Sequence, residues 1–342
     1  MNDAERTMRA VQISGRGGVE HMHEAIVPRP IAVHSEVLVR VSASSINPVD
    51  VKTRAGGGYA AAITEYPVIL GHDFCGEVVK APYETHRLAV GTRVYGVTVP
   101  PRLQGTHAEY VPVPDLFVAP APQSLSDAEA ACVPLAFLTA WQCLTDVGQV
   151  RPGQKVFINA AAGGVGHFAV QIARMLGAVV TASCSQRNVD FVADLGAQRV
   201  VAYDVDEIEH AVRGQDVTLD LVGNREQNTG TRSLSTLRRG GMLISVPASG
   251  WPSMVEDARA LGVRATHFTF SPSGSMLAQA ASLFDRGRIR VHVDAVLPLE
   301  NAVEAYERIA TRAGRGKTAL TIGQPTAPPR EHAAAAGADW DG

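Results

Sequence analysis

The alternation of apolar and polar residues changes character once along the chain, near residue 124. Before that point the β-branched runs are short, as in Val37 to Val41, Gly76 to Val79 and Arg93 to Val97. Glycine and proline separate these runs repeatedly. Short strands between turn signals are typical of a folded β-barrel or a rolled sheet, so this part of the chain is predicted to be mainly β.

After residue 124, strand and helix patterns alternate. Ser124 to Glu129 carries the capping residues of a helix start, and the apolar residues of Val165 to Leu176 recur at helical spacing. Such alternation predicts a parallel sheet with helices on both faces. The five predicted strands are Lys155 to Asn159, Val179 to Ser183, Arg199 to Tyr203, Asp216 to Val222 and Met242 to Val246.

The last part of the chain is interpreted as a return to the first domain. It is predicted to form a helix over Ser275 to Arg286, a strand over Val291 to Leu297 and a helix over Leu299 to Thr311. Residues rich in proline and alanine follow, which is typical of disorder. The predicted organisation is a first domain over 1–130, a second over 131–264, the return over 265–322 and a disordered tail over 323–342.

Composition narrows the class of protein. The 342 residues suggest about two domains, and 31 basic against 34 acidic residues give a net charge of −3. No basic field favours nucleic acid, and no apolar run is long enough to predict a membrane helix or a signal peptide. The cysteines lack C-x-x-C spacing, so they are expected to be reduced thiols of a cytoplasmic protein. They are Cys75, Cys132, Cys143 and Cys184.

The main chemical signal is a glycine turn from Ala160 to Gly166, which follows a predicted strand and opens a predicted helix. Gly163 lets the backbone approach a pyrophosphate, and Gly166 lets the helix pack closely on the sheet. The amides and the positive dipole end of the helix then face the phosphates. Ala161 replaces the first glycine of the usual pattern. The turn therefore predicts a dinucleotide site; the alternative is a turn that serves packing alone.

The end of the second predicted strand bears on the choice of cofactor. An NAD site usually places a carboxylate there to bind the ribose hydroxyls. Here Thr181 to Arg187 contains hydroxyls and a guanidinium, and the first carboxylate is that of Asp190. Because a guanidinium binds phosphate oxygens by charge-assisted hydrogen bonds, this loop predicts NADP(H). The alternative is that Arg187 is a solvated loop residue.

Several motifs occur in order along the chain, and together they resemble one family. They are Asn47-Pro48-Val49-Asp50, Gly71 to Gly76, Gln104 to Tyr110, Leu138 to Trp141, the glycine turn and Gly316 to Leu320. The chain resembles the zinc-free medium-chain dehydrogenases/reductases of the quinone oxidoreductase (zeta-crystallin-like) group over about residues 8 to 322. The resemblance implies an α/β fold, with a GroES-like β-barrel catalytic domain and a Rossmann doubly wound parallel-sheet domain, in a homodimer.

The resemblance also implies the roles of cofactor-binding residues. Thr139 would lie near the nicotinamide ribose and Val246 near the nicotinamide. The C-terminal segment would approach the cofactor at Arg312 and Lys317. The pyrophosphate would be met by Gly163, Gly164 and Val165, next to the helix-packing Gly166, and the 2′-phosphate by Ser183, Arg187 and Tyr203.

Zinc is not predicted. Related alcohol dehydrogenases bind catalytic zinc through Cys, His and a further Cys or Asp. Here His72 and Asp73 stand in the His-Glu position of that pattern, but Asn47 stands in the first Cys position and Pro134-Leu135 near the last. A zinc site needs about three protein ligands, and the sequence offers two at most. His72 is therefore interpreted as a structural or pocket-lining residue, or as a substrate contact.

A metal-free site favours a conjugated acceptor, because zinc normally polarises a simple ketone. In a quinone or an α,β-unsaturated carbonyl the charge spreads onto oxygen, where hydrogen-bond donors stabilise it. Asn47 is a candidate donor, or else a turn residue before Pro48. Asp50 is a candidate base, or else a loop anchor beside Lys52 or Arg54. Tyr59 is a candidate proton donor, as in related enoyl-thioester reductases, or else packs at the surface.

Three functions remain open at this point. The first is an NADPH-dependent quinone or enone reductase. The second is an enoyl-thioester reductase, for which the sequence shows no clear basic entrance. The third is a non-catalytic NADPH-binding protein with an intact cofactor site and a blocked pocket.

Overall fold

The structure is a computed structural model that describes residues 6–99, 104–224, 228–247, 251–311 and 314–323. Arg312 and residues 324–342 of the predicted tail lie outside these described residues. The strands are, in chain order, β1 (Thr7–Ile13), β2 (Met22–Pro28), β3 (Glu36–Ile46), β4 (Val68–Ile69), β5 (Asp73–Lys80), β6 (Arg93–Val97), β7 (Tyr110–Pro114), β8 (Val118–Pro120), β9 (Lys155–Ile158), β10 (Val179–Cys184), β11 (Arg199–Ala202), β12 (Gln215–Asp220), β13 (Leu237–Ser245), β14 (Arg264–His267), β15 (Val293–Pro298) and β16 (Lys317–Thr321). The helices are α1 (Pro48–Arg54), α2 (Asp127–Ala131), α3 (Pro134–Gln142), α4 (Gly166–Met175), α5 (Val189–Asp194), α6 (Ile208–Ala211), α7 (Thr229–Leu234), α8 (Met254–Ala260), α9 (Gly274–Asp285) and α10 (Ala302–Thr311).

Strand β3 is the centre of the first domain. It pairs antiparallel with β5, β7 and β16, and Arg40 is its one exposed residue. Burial along the whole strand is expected where neighbours lie on both edges and both faces are covered. Seven strands form this sheet, and β1 joins β2 and β4 in a smaller sheet beside it. The prediction that this part of the chain is mainly β is confirmed.

The second sheet is parallel and has the order β11-β10-β9-β12-β13-β14. Its chain order reverses between β9 and β12. In such a doubly wound sheet, ligands bind outside the carboxyl ends of the strands at the point of reversal. The predicted glycine turn follows β9 directly, so it lies at this point.

The strand β14 was not predicted from the sequence. It spans four residues, and none of them is fully buried. A short, half-exposed edge strand carries no apolar run, which explains why the pattern missed it. The second sheet therefore reaches His267, three residues past the predicted boundary at 264. The domain boundaries themselves stay predictions.

The chain returns to the first sheet through β15 and β16. These two strands pair in parallel, and β16 pairs antiparallel with β3 so that Thr318 lies opposite Ile46. This register places Lys317 beside Asn47, at the end of β3. Residues that are far apart in the sequence therefore meet where the two sheets approach each other.

Helices α3, α4 and α9 share one buried core. The rings of Phe137, Phe168 and Phe284 lie with centroids 5.8 to 6.0 Å apart, and Trp141 stacks on Phe137. The same apolar cluster includes Tyr95 of the first sheet and Ile158 of the second. The core is thus continuous from one sheet to the other. None of the helices within the described residues has the length and hydropathy needed to cross a membrane.

Candidate active site

The glycine turn has the tight geometry that a dinucleotide site requires. The Gly163 amide donates to the Ala160 carbonyl over 3.0 Å. A Cβ on Gly166 would lie 2.4 Å from that carbonyl oxygen, so only glycine fits where α4 begins. Ala160 adopts a φ of 48°, a left-handed backbone conformation that residues other than glycine seldom adopt. The predicted strand, turn and helix are all present.

A buried carboxylate holds the strand ends next to this turn. Asp220, at the end of β12, accepts hydrogen bonds from Asn159 Nδ2 over 2.7 Å and from Ser245 Oγ over 3.1 Å. Asn159 follows β9 and Ser245 ends β13, so one side chain ties three strands together. Val246, predicted to meet the nicotinamide, donates its amide to the Asp220 carbonyl. Sequence reasoning missed Asp220, although an acidic residue within a predicted buried strand is a usable signal.

Beyond the turn, the ends of β10 and β11 lie side by side. The Ser183 carbonyl accepts from the Ala161 amide, and the Ser183 hydroxyl is buried with no hydrogen-bond partner. Tyr203 donates its amide to the Cys184 carbonyl, and its side chain is exposed. Arg187 is also exposed. The residues predicted to surround a 2′-phosphate therefore lie on adjoining segments at the carboxyl edge of the sheet.

Arg315 reaches this loop from the C-terminal segment. Its Nε donates to Asn188 Oδ1 over 2.6 Å, and its Nη2 donates to the Arg187 carbonyl over 2.9 Å. Its guanidinium also lies near the Phe191 ring, 5.8 Å from the centroid. Sequence reasoning named Arg312 and Lys317 in this segment and missed Arg315. The sequence signal that could have identified Arg315 is its position directly before Gly316, the first residue of the motif Gly316 to Leu320.

Lys317 connects the glycine turn to the first domain. Gly316 donates its amide to the Ala162 carbonyl over 2.8 Å, and the Lys317 stem packs against Gly164, where a Cβ would lie 3.0 Å from Cδ. The buried ammonium donates to Asn47 Oδ1 over 2.5 Å. Protein groups therefore hold this ammonium. Its predicted contact with the cofactor stays a prediction.

Asp73 completes the charge pair. One carboxylate oxygen, Oδ2, lies 3.4 Å from Lys317 Nζ and accepts from Asn47 Nδ2 over 2.8 Å and Ser45 Oγ over 2.9 Å. The other, Oδ1, accepts from the Leu135 amide over 2.7 Å. Leu135 lies in the first turn of α3, and its carbonyl accepts from the Thr139 hydroxyl. The pair thus joins β3, β5 and β16 to the helix that carries Thr139.

Two of the three predicted catalytic residues, Asp50 and Tyr59, lie next to the imidazole of His72, and the third, Asn47, is bonded to Asp50. Asn47 and Asp50 are buried, and Asp50 Oδ2 accepts from the Asn47 amide over 2.8 Å at the start of α1. Tyr59 is half-buried, and its ring meets the His72 ring edge-on with centroids 5.5 Å apart. Burial, and then the Asp50 carboxylate, raise the pKa of Tyr59, so its hydroxyl keeps its proton at neutral pH. The catalytic roles themselves stay predictions.

The imidazole of His72 is oriented by two neighbours. Its Nδ1 lies 2.8 Å from the Thr98 carbonyl oxygen, and its Nε2 lies 3.6 Å from Asp50 Oδ1. The ring is mostly buried. The sequence predicted His72 to be a structural or pocket-lining residue, or a substrate contact, and the structure brings it next to the candidate catalytic residues Asp50 and Tyr59.

The donor set around Lys317 does not fit a zinc ion. Within the part of the chain that the structure describes, no three or more His, Cys, Asp or Glu side chains are grouped to hold a metal. Asn47 is bonded to Lys317, and Asp73 already pairs with the same ammonium. A cation beside these oxygens would face a fixed positive charge, which disfavours its binding.

The buried side chain of His167 contacts the glycine turn. It is fully buried in the first turn of α4, where its Nδ1 lies 3.1 Å from the Gly163 carbonyl oxygen. Its Nε2 accepts from the His292 amide over 3.4 Å. Burial lowers the pKa of His167 to about 3, so the ring is neutral at physiological pH.

The buried His167 predicts that stability falls in acid. Its pKa is about 3 when folded against 6.5 as the ordinary value, so the unfolded chain binds the proton more tightly. The neutral His167 therefore contributes to the free energy of unfolding in full above pH 6.5. This contribution is lost as the pH falls toward 3, by up to about 1.4 kcal/mol per pH unit. Urea denaturation from pH 8 to pH 5 measures this slope. We expect His167→Gln to reduce this slope without abolishing it, because burial also lowers the pKa of His107, and the exposed control His23→Gln to leave it unchanged; equal slopes in all three proteins would contradict the account.

Breaking the Lys317–Asp73 pair is expected to be costly. Lys317→Met leaves the Asp73 carboxylate buried without its cation, which predicts a loss of about 3–5 kcal/mol in the free energy of unfolding. The double variant with Asp73→Asn should lose less than the two single variants together. The exposed Arg238–Asp216 pair, 2.7 Å apart, is the control: Arg238→Met should cost about 1 kcal/mol or less. Additive losses in the Lys317–Asp73 cycle would show that the two groups do not interact.

Two family descriptions match the chain. Residues 34–123 match "Alcohol dehydrogenase GroES-like domain", and residues 195–320 match "Zinc-binding dehydrogenase". The first match covers most strands of the seven-stranded sheet. The second covers β11 to β15 and reaches into β16, in the part of the chain that includes Lys317.

Relatives match over most of their length. The mitochondrial NAD(P)H oxidoreductase RTN4IP1 of Danio rerio is 31% identical over 84% of this chain and 84% of its own length. The 2-methylene-furan-3-one reductase of Solanum lycopersicum is 29% identical over 92% of this chain and 79% of its own. Both names describe oxidoreductases, and the first describes one that uses a nicotinamide cofactor.

Solved structures give the same result. The quinone oxidoreductase of Coxiella burnetii has a TM-score of 0.88 at 31% identity, over 93% of this chain and 100% of its own. A mycobacterial protein solved in complex with NADPH has a TM-score of 0.79 at 27% identity, over 92% of this chain and 99% of its own. The predicted fold class, a GroES-like domain with a Rossmann parallel sheet, is confirmed. This chain belongs to the medium-chain dehydrogenase/reductase family of oxidoreductases.

Proposed function

We propose that the chain is an NADPH-dependent reductase that delivers hydride to a quinone or an α,β-unsaturated carbonyl without zinc. The observation that carries the proposal is the buried network of Lys317, Asn47 and Asp73. It lies between the glycine turn and the candidate catalytic residues, and within the described part of the chain no set of metal ligands surrounds its fixed ammonium. The catalytic groups that remain are hydrogen-bond donors and acceptors.

The carboxyl edge of the second sheet fits a nicotinamide dinucleotide. Gly163 lets the backbone approach phosphates at the start of α4, Gly166 lets that helix pack against the turn, and the unpartnered Ser183 hydroxyl supplies a buried polar atom. When bound, the cofactor supplies the hydride. Arg187 and Tyr203 favour the 2′-phosphate of NADP(H) over NAD(H). Arg315 supports this preference because it holds the Arg187 backbone in place.

Without a Lewis acid, the acceptor must itself spread the charge that hydride brings. In a quinone or an enone the developing charge moves to oxygen, where a donor of the pocket can stabilise it. The half-buried Tyr59 hydroxyl suits this role, since burial and Asp50 raise its pKa and keep it protonated. Asn47 is less free to act, because its side chain already bonds to Lys317 and Asp73.

The named relatives agree with this acceptor class. Quinones are conjugated diketones, and 2-methylene-furan-3-one contains a carbon–carbon double bond conjugated to a ketone. We extend that chemistry to this chain as part of the proposal. We further propose a cytoplasmic homodimer: the four cysteines are buried free thiols, which a reducing compartment preserves, and the dimer rests on the family resemblance.

Turnover tests the proposal directly. The purified chain is expected to oxidise NADPH in the presence of 1,2- or 1,4-quinones or small enones, at rates in the range of about 1–1000 s⁻¹ that enzymes usually show. Absorbance at the NADPH band follows the reaction. Turnover restricted to crotonyl thioesters would instead favour an enoyl-thioester reductase. Tight NADPH binding without turnover of any acceptor would favour a non-catalytic binding protein.

Cofactor choice has its own test. Arg187→Ala removes a guanidinium beside the proposed 2′-phosphate site, so we expect NADPH to bind about 10-fold more weakly or worse, with little change for NADH. Arg199→Ala is the matched control. Arg199 lies at the amino end of β11, away from the carboxyl ends of the strands where the cofactor is proposed to bind, so the substitution should alter neither affinity. Fluorescence titration gives both dissociation constants. An equal loss of both cofactors in Arg187→Ala would refute this explanation of cofactor choice.

A further inference from the structure

We propose that His72 is the proton donor of the reaction and that Asp50 is the positioning residue that keeps His72 charged. The inference rests on the proposed reductase function, and it names the group that completes the reaction after hydride transfer. The observation behind it is an orphaned carboxylate oxygen, Asp50 Oδ1, buried opposite the His72 imidazole.

The hydrogen bond at Nδ1 determines the arrangement of the His72 ring. A carbonyl oxygen only accepts, so the 2.8 Å contact with Thr98 requires a hydrogen on Nδ1. The Thr98 amide in turn donates to the His72 carbonyl over 2.7 Å, which fixes the two segments together. In a neutral His72 the other nitrogen, Nε2, would carry only a lone pair, and that nitrogen points at Asp50.

Asp50 needs a proton opposite it. Its carboxylate is fully buried, and Oδ2 accepts from the Asn47 amide, whereas Oδ1 has no hydrogen-bond partner. A buried acceptor without a donor is unfavourable, and more so when it is charged. His72 Nε2 lies only 3.6 Å from Oδ1, so without a proton two hydrogen-bond acceptors would face each other. A proton on Nε2 removes that repulsion and pairs the carboxylate with a cation. The pair therefore holds one proton in the pocket.

The other charged and titratable groups nearby have contacts of their own, although Arg54 Nε and His107 Nε2 are buried without a hydrogen-bond partner. Asp73 is paired with Lys317, and Arg54 donates through Nη1 to the Gly17 carbonyl. Burial lowers the pKa of His107, which keeps that ring neutral. Tyr306 lies against His107, with its hydroxyl 3.3 Å from Nδ1. The titratable groups that interact electrostatically with Asp50 are Tyr59, His107 and Tyr306. Arg54 follows Asp50 by one turn of α1, and Asp73 and Lys317 are bonded to Asn47.

The proposed step balances with one proton. Hydride, given up as NADPH is oxidised to NADP+, adds to the β-carbon of the enone and forms a C–H bond. The C=C π electrons then form a double bond between the α-carbon and the carbonyl carbon, and the C=O π electrons move to the oxygen. The Nε2–H bond of His72 breaks and an O–H bond forms on that oxygen, which gives an enol that becomes the saturated ketone. His72 is left neutral and regains a proton from solvent. Tyr59, in edge contact with His72, donates a hydrogen bond to the same oxygen.

Activity measurements separate this role from a structural one. His72→Asn keeps an N–H donor for the Thr98 carbonyl but carries no transferable proton, so kcat with an enone should fall by about 100-fold or more while the NADPH dissociation constant stays unchanged. The wild-type kcat should fall as pH rises, and the variant should lack that dependence. His86→Asn is the matched control, because His86 Nε2 lies 3.1 Å from Asp115 Oδ2 in a buried pair outside the site.

A second measurement does not depend on turnover. Nitrogen-15 NMR of the cofactor-free protein at neutral pH should show His72 protonated on both ring nitrogens, and Asp50→Asn should remove the Nε2 proton. A His72 ring that carries a hydrogen on Nδ1 alone in the wild type would overturn the proposal, as would a kcat in His72→Asn close to that of the wild type. A large loss confined to Tyr59→Phe would assign the proton to Tyr59 instead. If the wild type turns over no acceptor, the proposed function fails, and the NMR result still decides whether the pair holds a proton.

Discussion

One buried ion pair, between Lys317 and Asp73, connects the two halves of this molecule. The lysine stem packs on the glycine turn of the second sheet, and its ammonium lies among side chains of the first sheet. An ammonium taken out of water is costly unless its partners are well placed, so the pair constrains the positions of β3, β5, β16 and α3 at once. Together with the core shared by the two sheets, this side chain therefore holds the glycine turn and the candidate catalytic residues in a fixed relation.

The same pair shapes the chemistry. It puts a permanent positive charge beside the oxygens of Asn47 and Asp73, where a metal would otherwise compete for them. Asp50, in the first turn of α1, keeps one carboxylate oxygen, Oδ1, without a hydrogen-bond partner among the described residues. His72 is the group that faces Asp50, which is why an imidazole, rather than a metal, is the proposed source of the proton.

Much of the fold was predictable from the sequence, because it depends on local patterns. The β-branched runs, the strand–turn–helix around Gly163 and the capped start of α2 at Ser126 all have signals within a few residues. The contacts that matter most for the site have no such signal. Lys317 and Asp73 are 244 residues apart, and Arg315 and Asn188 are 127 apart. Their meeting follows from the pairing of β16 with β3, which the motifs implied only through family resemblance.

The metal content of the active protein tests this account most directly. We predict far less than one zinc per chain in protein that reduces its acceptor, and unchanged kcat after dialysis against a strong chelator, since Asp73 is paired with Lys317 and the described residues contain no ligand set for zinc. One zinc per chain, with activity lost on its removal and restored on its return, would contradict the account.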